Sequence, residues 1–156
     1  RFGMEMQLPY AMDNSRYYGR GPIENYIDRK LSQNIGIYSQ TAEEQFYPYI
    51  RPQETGTKSD IRWWEQTTKE GCGLRISSSQ PFYAGAIHYS IDKLDDGDEK
   101  EQRHSYQVKK SKYTHLTIDS EHYGVGGVNS WGAWPLPQHR VNYGDKTMTI
   151  VVKPIK

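Results

Sequence analysis

The sequence predicts an all-β fold, a sandwich forming a single domain over residues 1–156. Apolar and polar residues alternate in most segments, turn-forming residues recur at intervals of roughly eight to twelve, and no stretch sustains a helical period. A chain of 156 residues can bury one sizeable core and carries no composition break or low-complexity linker that would divide it.

Phe2, Met4, Met6 and Leu8 alternate with Gly3, Glu5 and Gln7, which predicts a half-buried strand ended by Pro9. Ser15 to Tyr18 gives a second short strand, stopped by Gly19-Arg20-Gly21-Pro22. Glu24, Asp28 and Arg29 surround Tyr26 and Ile27 in an ordered loop, and Ile35 to Tyr38 is a third strand. Thr41 followed three residues later by Glu44 has the form of a capping box, enough for one helical turn. Phe46 to Gly56 contains Pro48 and Pro52, which bars it from a central ladder and predicts an extended edge segment.

Lys58 to Gln66 alternates so as to place Ile61 with Trp63 on one face and Arg62 with Trp64 on the other. Leu74 and Ile76, then Tyr83, Ile87, Tyr89 and Ile91, continue the period, and Asp95 to Lys100 reads as a solvated turn. Gln102 to Val108, Thr114 to Glu121 and Lys146 to Val152 bring the set to about ten strands, as expected of a sandwich.

Composition excludes several classes of partner. Twenty basic against 19 acidic side chains leave a net charge of +1 with no basic block, so no nucleic-acid partner is expected. No apolar run reaches the length of a membrane span, and Arg1 to Met6 lacks the form of a signal peptide, so no membrane partner is expected. Cys72 is the single cysteine and has no partner for a disulfide or a zinc site. The absence of an Asn-x-Ser/Thr sequon fits a bacterial source, with cytoplasm and periplasm both open. Thirteen Tyr and four Trp against three Phe favour rings with a polar edge, suited to a polyhydroxy ligand as well as to a core.

Most candidate sites fail on their own residues. An EF-hand loop with Gly97 at its sixth position would place Leu94 at the third and Arg103 at the twelfth, which are wrong ligands for calcium. The five histidines, at 88, 104, 115, 122 and 139, lack metal-ligand spacing, and His88 and His104 fall within expected strands as structural groups. Gly124-Val125-Gly126-Gly127 is followed by no helical pattern, so it does not read as a phosphate cradle. No nucleophile elbow occurs, and Glu24, Asp28, Glu54, Asp60 and Asp119 read as salt-bridged structure before they read as a catalytic carboxylate pair.

The informative stretch is Tyr123 to Trp134. Its clustered glycines precede two tryptophans three residues apart, an arrangement that presents rings at a strand end. Composition alone equally allows a tight turn with both rings in the core.

Three motifs occur in order along the chain. They are Tyr18-Gly19-Arg20-Gly21-Pro22-Ile23-Glu24-Asn25-Tyr26-Ile27-Asp28-Arg29, Tyr47-Pro48-Tyr49-Ile50-Arg51-Pro52-Gln53-Glu54-Thr55-Gly56, and Gly124-Val125-Gly126-Gly127-Val128-Asn129-Ser130-Trp131-Gly132. Together they resemble the C-terminal, small-chain domain of lac-type family 2 β-galactosidases, departing from it at Thr55, where Asn is common. The resemblance implies a galactose mutarotase-like super-sandwich, with several N-terminal strands of that domain lying outside this sequence. It implies a parent that hydrolyses terminal β-galactosides with retention, its two catalytic glutamates on a (β/α)8 barrel absent here. No residue of this chain is then catalytic, and none holds a cofactor. The parent's Mg2+ or Na+ would belong to the catalytic domain.

The same resemblance implies that Trp131 stacks on the galactoside, with Asn129 and Ser130, and Tyr123 before them, shaping its loop. Glu24, Asn25, Asp28, Arg29, Arg51 and Glu54 would be structural, Asp28 pairing with Arg20, Arg29 or Arg51 to join the motif loops. Expected partners are a β-galactoside or galactose, the barrel of the same parent chain, and further copies of the chain through exposed strand edges. A stand-alone carbohydrate-binding module using Trp131 and Trp134, and a mutarotase-like sugar epimerase, are the alternative readings.

Overall fold

The structure is a computed structural model that describes residues 1–95, 103–129 and 131–156. Its strands are β1 (Phe2–Pro9), β2 (Asn14–Gly21), β3 (Asn34–Thr41), β4 (Lys58–Thr67), β5 (Gly73–Ile87), β6 (Tyr113–Glu121) and β7 (Ile150–Ile155). They form one open, antiparallel, seven-stranded sheet in the order β1-β6-β5-β4-β2-β3, with β7 added beside β5. The helices are single turns, α1 (Ala42–Gln45) and α2 (Ile91–Leu94). No helix among the described residues is long and apolar enough to cross a membrane.

β5 organises the sheet. It runs 15 residues without a break, its first half pairing with β7 and its second half with β6, while β4 lies along its other side. The polar run Ser77-Ser78-Ser79-Gln80, which separates two short strands in the sequence pattern, is bridged because Ser77 and Ser78 pair with Val151 and Ile150. The described residues accordingly form seven strands where about ten were expected.

The core lies on one face, where Tyr17, Ile61, Trp64, Ile76, Phe82, Leu116 and Ile118 are buried. Trp64 stacks on Tyr17 with centroids 4.8 Å apart, and its indole N–H donates to Gln66 at 3.0 Å. A strict alternation pairs Ile61 with Trp63, but the structure pairs it with Trp64. Register shifts flank Ile61, and Asp60 has a φ of 55°, so the β4 pleat is interrupted and the second tryptophan turns inward. Trp63 instead lies between the guanidinium groups of Arg75 and Arg16, 4.4 and 5.3 Å from its ring. On β5 the buried set is Phe82, Ala84 and Ala86, one residue out of step with Tyr83 and Ile87, which are only partly buried.

Other expectations are corrected locally. Phe46 to Gly56 lies outside the ladders as an irregular segment, its Tyr47 N–H donating to the Thr55 hydroxyl at 2.9 Å. Residues 103–108 hold a 3-10 turn, Ser105–Gln107, and not a strand, since the Gln107 side chain caps the His104 N–H at 2.7 Å. The acidic turn at 96–100 lies outside the described residues, and so does Gln102. His88 lies just past β5, stacked on Tyr10 at 3.9 Å and 2.9 Å from Asp13, and His104 precedes the 3-10 turn, so neither is a strand residue.

Candidate functional site

The three sequence motifs meet in space at one end of the sheet. The first supplies a tight turn in which Tyr26 and Arg29 exchange backbone hydrogen bonds of 3.2 and 2.9 Å, leaving Ile27 and Asp28 at the tip. Asn25 is fully buried below it. Its amide donates to the carbonyls of Arg20 and Ile23 at 3.1 and 2.9 Å, and its oxygen accepts from Ser59 N–H at 3.0 Å. An uncapped amide there would leave several buried polar groups unmet, so Asn25 holds the loop on β4.

Glu24 joins the first motif to the second. One carboxylate oxygen accepts from Arg29 at 2.7 Å and from the Tyr49 hydroxyl, and the other accepts from Gly56 N–H at 2.7 Å. Beside it Lys58 is 1% exposed, its ammonium donating to the Gly56 carbonyl at 2.7 Å. Burial drives the Lys58 amine down to about 7, opposed in part by the Glu24 carboxylate.

Glu54, from the second motif, reaches the strand that leads to the glycine-rich loop. The Arg1 guanidinium lies 3.0 Å from Glu54, 3.3 Å from Asp119 and 2.7 Å from the Nε2 of His122. Because the Tyr123 carbonyl can only accept, Nδ1 of His122 carries a proton and donates to it at 2.7 Å. Burial works to raise the Glu54 carboxyl, but His122, Arg1 and the Thr57 hydroxyl hold it below the usual range. Asp119 is shifted the other way, because its burial outweighs the Arg1 and His122 charges.

Asp28 pairs with none of the arginines proposed for it from the sequence. Arg20 binds Asp60 and Arg29 binds Glu24, whereas the Asp28 carboxylate accepts from the backbone N–H groups of Val125 at 3.1 Å and Gly126 at 2.9 Å. The contact crosses 97 residues of sequence. It also explains one glycine: a Cβ on Gly124 would lie 2.6 Å from an Asp28 carboxylate oxygen.

Beyond this clamp the loop turns through Gly126 and Gly127, both with positive φ, and Asn129 accepts from the N–H of Trp131 at 2.9 Å. Trp131 is 92% exposed and Trp134 69%, so the loop presents its rings and does not fill the core with them. The Arg140 guanidinium covers Trp134 at 5.4 Å. Ser130 lies outside the described residues. Arg51 is exposed on the rim of a cavity of about 440 Å³, which Arg1, Glu54, Ile87 and His115 also line, on the sheet face opposite the core. Among the described residues no three His, Cys, Asp or Glu side chains converge to hold a metal ion.

Sequence reasoning missed Arg1 and His122, which meet across 121 residues, and Lys58, whose burial no local pattern reveals. Gly124 was visible as part of a glycine cluster, but its reason, the approach of Asp28, was not.

The profile of the family described as β-galactosidase small chain matches residues 1–152. A β-galactosidase of Priestia megaterium is 34% identical over 155 residues, which is 98% of this chain and 14% of that protein. The β-galactosidase BgaC of Bifidobacterium adolescentis is 37% identical over 133 residues, 83% of this chain and 12% of its own length. A β-galactosidase of Lactobacillus delbrueckii subsp. bulgaricus is 32% identical over 156 residues, 99% of this chain and 15% of its own length. The chain thus spans a small part of the curated relatives it matches. A profile match over nearly every residue, running through all three motifs that converge on the Trp131 loop, places the chain in the β-galactosidase small-chain family.

Proposed function

We propose that the chain is the C-terminal, non-catalytic part of an enzyme that removes terminal non-reducing β-D-galactose residues with retention, and that it shapes the galactoside pocket through Trp131. The observation that carries this reading is the 92% exposure of a tryptophan on a loop whose backbone is held by Asp28 of another motif and by its own Asn129. An indole in that position offers a flat apolar plane to one face of a pyranose, while the sugar hydroxyls bond elsewhere. Asn129 shapes the loop through the Trp131 N–H, and Ser130 is assigned to the substrate site with it on the resemblance alone.

The two glutamates that retaining hydrolysis requires would lie on a (β/α)8 barrel elsewhere in the parent, together with any Mg2+ or Na+. Residues 1–156 would form one β-sandwich unit, the open sheet being one layer of a galactose mutarotase-like super-sandwich completed by other strands of the parent. Glu24, Asn25, Asp28, Arg29, Arg51 and Glu54 are scaffold in this reading.

The test is made on the full-length parent and on the isolated chain. Trp131→Ala in the parent is expected to raise KM for an aryl β-galactoside, and an unchanged KM would overturn the proposed role. The isolated chain is expected to hydrolyse none of that substrate. Exposure of both Trp131 and Trp134 also favours a sugar-binding platform independent of the barrel. Galactose titration of the isolated chain by tryptophan fluorescence separates the two, since millimolar or tighter binding supports the platform.

A further inference from the structure

We propose that Asp28 is a positioning residue for the galactoside pocket, fixing the loop that carries Trp131; the inference rests on the reading just given for Trp131. Three glycines within four residues leave the start of this loop with little conformational preference of its own, so the direction of the indole must be set by contacts. Asp28 supplies them. Its two carboxylate oxygens each take one N–H from consecutive residues, Val125 at 3.1 Å and Gly126 at 2.9 Å, just before the backbone turns at Gly126 and Gly127. Bonds from N–H groups to an ionised carboxylate are stronger than neutral ones, and two parallel bonds fix orientation as well as distance.

The clamp is rigid on its other side. Asp28 sits at the tip of the turn closed by Tyr26 and Arg29, Arg29 is bound to Glu24, and Glu24 holds Gly56 of the second motif. On the loop side, Gly124 N–H donates to the His139 carbonyl at 2.8 Å, and Asn129 carries the constraint on to the Trp131 N–H. Asp28 bonds to the loop backbone and not to the indole. It acts by aligning a stacking surface, and small misplacements of such a surface cost affinity.

Asp28→Asn keeps the shape but replaces one acceptor by an NH2 group that faces a backbone N–H. In the full-length parent we expect it to raise KM for an aryl β-galactoside about tenfold, the size expected when charged hydrogen bonds are lost, with kcat changed less. In a Trp131→Ala background the same substitution is expected to change KM less than about twofold, because its effect runs through the missing ring. Hydrogen exchange at the Val125 and Gly126 amides should accelerate at least about tenfold.

A second variant guards against loss of folding. Gly124→Ala leaves the carboxylate intact but puts a methyl group 2.6 Å from it, and should reproduce the rise in KM. Wild-type KM in both variants, or full additivity with Trp131→Ala, would overturn the positioning role. If Trp131→Ala alone leaves KM unchanged, the functional reading of the indole fails, and exchange at Val125 and Gly126 still decides the clamp: unaltered protection in Asp28→Asn overturns it.

Discussion

The Glu24 carboxylate and the Gly56 N–H lie 2.7 Å apart, and this bond ties two sequence motifs 32 residues apart into one structure. The Glu24 side chain is 7% exposed and also holds Arg29, which is half exposed. Glu24→Ala therefore strands a buried amide as well as a guanidinium. The expected loss is about 2–4 kcal/mol, larger than that of an exposed ion pair, because the amide has no water to replace its acceptor. Urea unfolding of the chain measures it, and a midpoint equal to wild type would show that the motif loops are held by something else.

Lys58 makes stability depend on pH in a defined window. Its folded value is about 7 against an ordinary 10.5, so between these limits the unfolded chain binds more protons than the folded one. Stability should rise with pH across that interval, by on the order of a few kcal/mol in all, and be lost again as pH falls toward 7. The tyrosines act oppositely and later: burial pushes Tyr83 up to about 12, so its contribution is present below about 10 and disappears above it. Lys58→Met should flatten the slope of unfolding free energy between pH 7 and 10. An equal slope in wild type and variant would mean that the ammonium is not the titrating group.

How much of this was legible depended on how local the cause was. The capping box at Thr41 and Glu44 was readable because both partners lie within one turn, and the structure forms it with bonds of 2.8 and 3.2 Å. The β1 alternation was likewise a local pattern ended by Pro9. Trp64 was placed on the wrong face because one irregular residue, Asp60, resets the pleat, and the ion pairs that stabilise it come from Arg20 and Lys30 in other segments. The glycines before Trp131 left an exposed ring and a core ring equally open, and only the resemblance of the three motifs favoured exposure; the partner of Asp28 could not be anticipated at all. A carboxylate beside arginines in sequence reads as an ion pair, and nothing local reveals backbone N–H groups 97 and 98 residues away.

Among the described residues β3 ends the sheet and pairs only with β2. Its residues, Asn34–Thr41, include no charge and no proline, while Ile35 and Ile37 are 39% and 57% exposed. Such an edge lacks the usual protection against pairing with another chain. The isolated chain is expected to self-associate as its concentration rises, and Ile37→Lys should reduce this by placing a charge on the edge. Sedimentation velocity checks both, and identical association by the variant would direct attention to another surface.

Trp131 and Trp134 are three residues apart and are expected to respond differently to substitution. Neither is core, so alanine at either should cost the fold less than about 1 kcal/mol, within the range of surface changes and weak cation–π contacts. Trp134 keeps one covered face, with Arg140 5.4 Å above it, whereas Trp131 is open at 92% exposure. A sugar can therefore approach Trp131 directly but meets a guanidinium at Trp134. In the full-length parent, Trp131→Ala should weaken galactoside binding by roughly 1–3 kcal/mol, the loss of one stacking surface, and raise KM more than it lowers kcat if the stack is equally strong in ground and transition states. Trp134→Ala should leave KM within about twofold of wild type and lower stability by the small amount of its Arg140 contact. Steady-state kinetics and thermal unfolding of the two variants side by side make the comparison. Equal effects on KM would assign the binding surface to the pair, and a large effect confined to Trp134 would move it to the other ring.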